Sequence, residues 1–373
     1  MKKIFALMSI LVLALTACTK DDEYKITTVM DDVMPSITVI YSISGPGDNG
    51  YNDKIVEGVI QFCDSTNIAL HTIRPASVAE AESIVNKWIT DTEGRATRSM
   101  LILAGNEYSK LASAIKPIED QNRCILLVES EDENMPKGVV TACVDRKSVM
   151  YLAGAMSART RANIMAAMPG DKMVETTIKA FSDGYEAHQQ GYAIEEVHYL
   201  CENEQGYAMP NLAYEHVREV LWDSYYFENE HEKRVILLPV AGGSNTGVYL
   251  YMKLMYGSYI SHVAIIGMDA DYSGRLEMSP FSIVICVDKM IKDCISTWMK
   301  GKSLPAHHTY RMEDGYADVV INPWFDRDGN YAQEYITIGE GDWAYTTTEP
   351  LPEEYWTNKY EELKSEALEY GRK

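Results

Sequence analysis

The chain has 373 residues, about the length of two ordinary domains, and 46% of them are hydrophobic, enough to form real cores. Its 34 basic residues stand against 55 acidic ones, for a net charge of −21 at pH 7. This balance excludes nucleic acid as the expected partner. It also argues against adhesion to anionic lipid through a basic patch, because both kinds of binding need clustered positive charge.

The first eighteen residues are typical of a bacterial secretion signal. Lys2 and Lys3 precede an apolar segment over residues 4–15, which is too short to span a membrane. Leu15-Thr16-Ala17-Cys18 then resembles the lipobox of bacterial lipoproteins, in which the cysteine receives a diacylglyceryl group. The alternative is an ordinary secretory signal with an incidental cysteine. We predict a signal peptide over residues 1–18, lipidation at Cys18, and a protein anchored by lipid in the bacterial cell envelope.

Residues 19–35 read as a polar, acidic tether. The cluster Asp21-Asp22-Glu23 follows Cys18 almost directly. It resembles the signal by which some Gram-negative bacteria export lipoproteins to the outer face of the outer membrane. A solvated linker would have the same composition, so outer-membrane surface exposure and a simple tether both stay open.

From Ser36 onward, short apolar runs alternate with segments whose apolar residues recur at helical spacing. This alternation predicts an α/β fold with mainly parallel sheets. The predicted strands lie at residues 37–43, 68–73, 100–105, 124–128, 139–144, 163–168, 196–200, 234–240, 263–267, 282–287 and, more weakly, 317–321. The predicted helices lie at residues 53–65, 77–89, 107–115, 146–159, 173–190, 211–224, 248–256 and 288–300, with one more helix in the C-terminal segment.

About ten βα units follow one another without a low-complexity break. A TIM barrel needs only eight, so the strand at residues 282–287 and the helix after it would be surplus. Two doubly wound, Rossmann-like lobes accommodate them better, and this is the fold class that we predict.

Four predicted strands end in small or polar residues, at the edge where open parallel sheets bind ligands. These loops cover residues 45–53, 104–108, 241–247 and 267–271. The first is not a GxGxxG dinucleotide fingerprint, and the third lacks the Gly-Lys-Ser/Thr of a phosphate loop. A glycine-rich turn alone is usually only a turn, but four in similar contexts predict a shared ligand cleft.

Several motifs over residues 37–302 occur in a characteristic order. They are Asp48-Asn49-Gly50-Tyr51-Asn52-Asp53 with Glu57-Gly58, Leu101-Ile102-Leu103-Ala104-Gly105, Tyr151-Leu152-Ala153-Gly154, Phe181-Ser182-Asp183-Gly184-Tyr185-Glu186-Ala187, Ala241-Gly242-Gly243-Ser244-Asn245-Thr246-Gly247-Val248 and Ile265-Ile266-Gly267-Met268-Asp269-Ala270-Asp271. Together they resemble the basic membrane protein family of solute-binding lipoproteins, the purine-nucleoside receptors of bacterial ABC importers.

This resemblance implies a type I periplasmic-binding-protein clamshell, in which three crossovers join two lobes and the ligand lies between them. We accordingly assign residues 36–145 and 284–303 to lobe 1 and residues 146–283 and 304–345 to lobe 2. Residues 346–373 are assigned to a C-terminal tail rich in Pro and Glu. The implied partners are a small, nucleoside-like ligand and an ABC importer permease or a sensor.

The resemblance also implies roles for single residues. Tyr51 stands where the family has the Phe that stacks on the base, and Asp269 matches the carboxylate that accepts hydrogen bonds from ribose. Tyr207 is our candidate for a second stacking aromatic, and Ile285 replaces the family's ribose-binding Lys. The predicted ligand-binding residues are Tyr51, Asn52, Asp53, Gly105, Asn106, Gly242, Gly243 and Asp269.

We predict no enzymatic activity, no cofactor and no metal site. Asp269 and Asp271 are paired carboxylates, but no nucleophile–His–acid set accompanies them, and the adjacent His307 and His308 have no evident third ligand. Alternatives are a surface lipoprotein that binds a macromolecule and, less favoured, a hydrolase on a similar scaffold. The remaining cysteines are predicted to be buried free thiols, although their even number permits a disulfide: Cys63, Cys124, Cys143, Cys201, Cys286 and Cys294.

Overall fold

The computed structural model describes residues 33–189, 191–195, 197–226, 235–255, 263–276, 278–323, 333–338, 345–350 and 354–373. The predicted signal peptide, Cys18 and most of the predicted tether lie outside the described residues. Among the helices that are described, none combines the length and the apolar character needed to cross a membrane.

Strands and helices alternate along most of the chain, as predicted. The strands are β1 (Ser36–Tyr41), β2 (Ala69–Ile73), β3 (Ser99–Ala104), β4 (Arg123–Val128), β5 (Val139–Val144), β6 (Arg161–Ala166), β7 (His198–Tyr199), β8 (Val235–Val240), β9 (Val263–Ile265), β10 (Gly267–Asp269), β11 (Phe281–Ile285), β12 (His307–Tyr310), β13 (Ala317–Ile321), β14 (Gln333–Ile338) and β15 (Tyr345–Pro350). The α-helices are α1 (Tyr51–Asp64), α2 (Val78–Asp91), α3 (Lys147–Ser157), α4 (Lys172–His188), α5 (Pro210–Tyr226), α6 (Asn245–Met255), α7 (Val287–Met299) and α8 (Tyr355–Gly371).

The first lobe is built on a six-stranded sheet in the order β12-β5-β4-β3-β1-β2, with every pair parallel. Helices cover both faces, so β1, β3 and β4 are buried along their whole length. Successive side chains point to opposite faces. Ile102 therefore joins the core beneath α1, whereas Leu101 and Leu103 join the core beneath α2.

The second lobe contains a parallel four-stranded sheet, β7-β6-β8-β9, and a three-stranded sheet, β10-β11-β13. Only Ile266 separates β9 from β10, so one extended segment joins the two sheets. β13 runs antiparallel to β11. Helices α3 and α4 pack closely against each other on this lobe.

The chain passes between the two sheet systems three times within the described residues. The first passage follows β5 and leads to α3, the second follows β11 and leads to α7, which packs on α1, and the third connects β12 to β13. Two α/β lobes joined in this way confirm the predicted fold class.

The prediction that residues 304–345 belong as a block to lobe 2 is wrong. β12 instead extends the first sheet, where it pairs in parallel with β5, and Thr141 donates its backbone N–H to Ala306 O at 2.9 Å. The sequence of β12 shows no alternation of apolar and polar residues, because an edge strand buries only part of its surface. Thr141 and Thr309 hold both ring nitrogens of His307, at 2.7 and 2.8 Å.

Two further predictions needed correction. The helix expected at residues 107–115 is a shorter 3₁₀ helix, Asn106–Leu111. The C-terminal segment is not a mere tail, because α8 packs on α3 and buries Trp356 and Leu363 in the second lobe. Tyr370 of α8 also stacks on Tyr151, with ring centroids 4.4 Å apart.

The prediction of buried free thiols is confirmed for four of the six cysteines, because Cys201 and Cys286 are only half-buried. All six are free, and four of them are buried. Burial raises the pKa of the Cys63 thiol to about 11 and that of Cys143 to about 11, which keeps both protonated and unreactive at neutral pH.

Candidate functional site

The strand order places four loops in one crevice. In the first sheet β1 lies between β2 and β3, and in the four-stranded sheet of the second lobe β6 lies between β7 and β8. The connections that follow the first and the third strand of each lobe therefore leave on opposite faces of the sheet. In the first lobe these are the loops after β1 and β3. In the second lobe they are the loops after β6 and β8, which face the first pair across the gap between the lobes. Ligands bind at such switch points in open α/β sheets.

The loop after β1 is ordered by two carboxylates. Asp53 accepts backbone hydrogen bonds from Gly47 at 2.7 Å and from Asn49 at 2.8 Å. Asp48 accepts from the backbone N–H groups of Gly50 and Asn52, each at 3.0 Å, and thereby caps the start of α1. Asp53, which the sequence predicted to bind the ligand, thus shapes the loop.

Tyr51 and Asn52, the first two residues of α1, present polar atoms without partners. The Asn52 side chain donates to Ser44 Oγ at 3.0 Å and to Asp48 Oδ2 at 2.8 Å, but its Oδ1 accepts nothing, although the residue is only 1% exposed. Tyr51 Oη is likewise buried without a partner, and burial raises its pKa. Unpartnered buried polar atoms are rare because each costs about 1–3 kcal/mol.

The loop after β3 connects the two lobes. Asn106 Nδ2 donates to Asp171 Oδ2 at 2.8 Å and to the Tyr207 hydroxyl at 2.7 Å, and both partners belong to the second lobe. The next residue, Glu107, is buried and accepts from the backbone N–H of Ile43 at 3.1 Å. Burial raises the pKa of the Glu107 carboxyl.

A buried cation lies where the chain first crosses between the lobes. Arg146 forms an ion pair with Glu129 at the end of β4, and the side chains are 6% and 1% exposed. Its second terminal nitrogen lies 3.8 Å from Asp269 Oδ1. Burial raises the pKa of Asp269, and Arg146 opposes that rise. Asp269 also has a left-handed φ of 69°, a strained conformation that is often found at functional sites.

The backbone of the second lobe comes close to the first lobe at Gly243. Gly243 lies so near the first lobe that an added Cβ would sit 2.4 Å from Ser44 Cβ. Gly242 has a φ of +53° and faces the ring of Tyr207. Further contacts close the rim: Lys110 pairs with Glu204 at 2.9 Å, Lys172 with Glu131 at 2.8 Å, and the Tyr272 hydroxyl donates to Asn49 O at 3.0 Å.

These walls enclose a cleft with two compartments. The inner compartment measures about 40 Å³, and the outer one about 280 Å³. Both are lined by Asn106, Arg146, Met173 and Thr177, so they adjoin one another. The inner compartment contains the buried unpartnered atoms, and the outer one opens between the ends of β4 and β5 and the start of α4.

The structure brings most of the predicted site residues together. The inner compartment is lined by Tyr51, Asn52, Asn106, Gly242, Gly243 and Asp269, and also by Tyr207, the candidate second aromatic. Asp53 and Gly105 line neither compartment. Ile285 lies at the end of β11, is fully buried, and is likewise absent from both linings.

Sequence reasoning missed Glu107, Arg146 and Asp171 as cleft residues. Glu107 directly follows a predicted site residue, and Asp171 follows the Pro169-Gly170 turn after β6, so strand-end position could have indicated both. Arg146 is the first residue of the helix predicted at residues 146–159. Nothing local shows that it pairs with Glu129 and Asp269.

No protein-family profile and no curated relative matches the sequence. Solved structures do match. An ABC-transporter solute-binding protein from Aeropyrum pernix K1 has a TM-score of 0.62 at 16% identity, over 90% of both chains. A periplasmic solute-binding protein of an ABC transporter from Actinobacillus succinogenes 130z, with bound D-allose, has a TM-score of 0.56 at 11% identity, over 78% of this chain and 98% of that one.

A third matching structure is a protein of a different kind. A transcriptional activator of the comK gene from Bacillus halodurans has a TM-score of 0.55 at 14% identity, over 89% of this chain and 96% of that one. At such identities the matches establish the fold, which this chain shares with periplasmic solute-binding proteins, and they leave its function to be argued from the site.

Proposed function

We propose that this chain is an extracytoplasmic solute-binding receptor that closes two lobes around a small polar ligand. The observation that carries the proposal is the inner compartment of the cleft between the lobes, in which Asn52 Oδ1 and Tyr51 Oη are buried without partners. A ligand that hydrogen-bonds these atoms would offset their desolvation cost of about 1–3 kcal/mol each. The lipid anchor at Cys18 is part of the proposal and would hold the receptor in the cell envelope, where it serves an ABC importer or a sensor.

The ligand that we propose to test first is a purine nucleoside. Tyr51 and Tyr207 line the inner compartment beside the larger outer one, so their rings can contact a flat ligand that extends through both. The resemblance to the basic membrane protein family supports the same class. The D-allose bound to the Actinobacillus protein supports a ligand with several hydroxyl groups.

Thermal unfolding of the mature protein with a panel of nucleosides, sugars and amino acids tests the proposal. A true ligand at a hundredfold excess over its Kd should stabilise the protein by about 2.7 kcal/mol and raise Tm by about 5 °C. Native mass spectrometry of freshly purified protein would identify a ligand retained from the cell. A protein that carries no small molecule and shifts with no compound would contradict the proposal, and failure of the purine nucleosides alone would remove only that class.

Gly243→Ala should weaken binding of a ligand found in this way by about tenfold. The new Cβ would lie 2.4 Å from Ser44 Cβ on the opposite lobe, and such overpacking costs about 1–3 kcal/mol in the closed form. Calorimetric titration measures the affinity. The double variant Gly243→Ala/Ser44→Gly removes the opposing Cβ but also the Oγ that accepts from Asn52 Nδ2, so it should recover part of the loss. Equal affinity of Gly243→Ala and the parent would show that the lobes need not approach this closely.

A further inference from the structure

The shapes of the two compartments imply a ligand with two unequal parts. The inner compartment is much the smaller of the two, at about 40 Å³, whereas the adjoining outer compartment measures about 280 Å³. Because both share Asn106 and Arg146 as lining, one molecule can extend through the two. A small head would occupy the inner compartment and a larger polar body the outer one.

The inner compartment favours a ligand group that donates hydrogen bonds. Asn52 Oδ1 is an acceptor without a partner, and Glu107 and Asp269 add carboxylate oxygens. Apart from the Tyr51 hydroxyl, which can donate or accept, the nearby side-chain donors are already engaged. Asn52 Nδ2 donates to Ser44 and Asp48. Asn106 Nδ2 donates to Asp171 and Tyr207. The Arg146 guanidinium pairs with Glu129 and Asp269.

The charges around the cleft favour a cation. Six carboxylates line the two compartments, namely Glu107, Glu129, Glu131, Asp132, Asp171 and Asp269. Three cationic side chains stand against them, and each already has a carboxylate partner: Lys110 with Glu204, Arg146 with Glu129, and Lys172 with Glu131. The raised pKa values of Glu107 and Asp269 have the same origin, since burial leaves their negative charge poorly compensated.

We propose that the ligand is an amine, whose protonated amino group sits in the inner compartment against Glu107, Asp269 and Asn52, and whose hydroxylated or ring-containing body fills the outer compartment. This inference rests on the proposed receptor function. An ammonium group has three donors and no acceptor, which matches an acceptor-rich chamber. The faces of Tyr51 and Tyr207 would add cation–π attraction.

Matched pairs of compounds test the inference. The probes are D-glucosamine against D-glucose and 5′-amino-5′-deoxyadenosine against adenosine, each titrated calorimetrically into the mature protein at pH 7. In at least one pair the amine should bind about tenfold or more tighter than its hydroxyl analogue, because hydrogen bonds between ions in a buried site are strong. Hydroxyl analogues that bind equally well or better would overturn the inference and leave the receptor function intact. So would a ligand without an amine recovered by native mass spectrometry. If no probe binds and no retained molecule is found, both fail together.

The substitution Glu107→Gln tests the contact between the ligand's amino group and Glu107 by changing the protein. It keeps the shape and the acceptor for Ile43 N but removes the charge, so it should weaken amine binding about tenfold to a hundredfold. The hydroxyl analogue should change by less than about threefold. Glu57→Gln makes the same charge change on α1 outside both compartments and should leave both affinities unchanged. Asp269→Asn is the second variant should Glu107→Gln fold poorly. Equal losses for the amine and its analogue would overturn the proposal.

Discussion

Replacement of Arg146 by Met should lower the free energy of unfolding by about 3–5 kcal/mol. Arg146 and Glu129 are almost fully buried, and Asp269 lies within 3.8 Å of the same guanidinium. Methionine fills much of the space but leaves two carboxylates in the cleft without their cation. Removing one partner of a buried pair is costly because the remaining charge is neither solvated nor compensated. Urea unfolding at pH 7 measures the loss.

The loss should also depend on pH. Arg146 holds the pKa of Asp269 lower than burial alone would set it. Without the guanidinium, folded Asp269 binds its proton more tightly, and the folded state of the variant gains stability as the pH falls. The difference from the parent should therefore be largest at about pH 7–8 and smaller at about pH 5.

Two control variants accompany this measurement. Arg275→Met removes an exposed guanidinium that lies 3.4 Å from Asn49 Oδ1, and should cost less than about 1 kcal/mol. The double variant Arg146→Met/Glu129→Gln removes both members of the buried pair and should recover part of the loss, about 1–3 kcal/mol. A loss below about 1 kcal/mol for Arg146→Met, unchanged between pH 5 and 8, would contradict the buried network.

Gly154→Ala and Gly184→Ala should each destabilise the second lobe by about 3 kcal/mol. Helices α3 and α4 cross with these glycines facing the opposite backbone. A Cβ at Gly154 would lie 1.9 Å from Phe181 O, and one at Gly184 would lie 2.0 Å from Tyr151 O. Carbonyl oxygens inside helices cannot move aside, so the helices must separate, and overpacking of this kind outweighs the gain of about 1 kcal/mol in helix propensity.

Gly274→Ala is the matched control. A Cβ at Gly274 meets nothing within 4 Å and its backbone is not left-handed, so its stability should change by less than about 0.5 kcal/mol. Urea unfolding of the three variants provides the comparison. If Gly154→Ala and Gly184→Ala are as stable as Gly274→Ala, the two helices do not need glycine for their approach.

Much of the architecture follows from local pattern. Apolar runs such as β3 are long enough to be buried on both faces, and helical spacing separates them, so the α/β alternation and the ligand-binding edges can be derived without coordinates. The loops that end β1, β3, β8 and β10 were located in this way. Most of the predicted site residues line one compartment because parallel strands bring their carboxyl ends to one edge.

Other features depend on contacts between distant segments. The sequence of β12 does not show that it pairs with β5, about 165 residues earlier, because an edge strand needs no strong apolar pattern. Asp53 and Asp48 are both carboxylates in one loop. Only their hydrogen-bond partners show that Asp53 orders the loop outside the cleft, whereas Asp48 holds Asn52, which lines the inner compartment.

The sequence by itself determined the fold class, the candidate strand-end loops and the net acidity of the chain, because apolar spacing and residue type are local properties. The tertiary structure decided that Arg146 sits between Glu129 and Asp269 and that Gly154 and Gly184 bring two helices together. It also showed that the cleft has a small inner and a larger outer compartment. The physical reason is that charge compensation, close approach and cavity shape arise between side chains far apart in the chain, and they exist only once both lobes are folded and in contact.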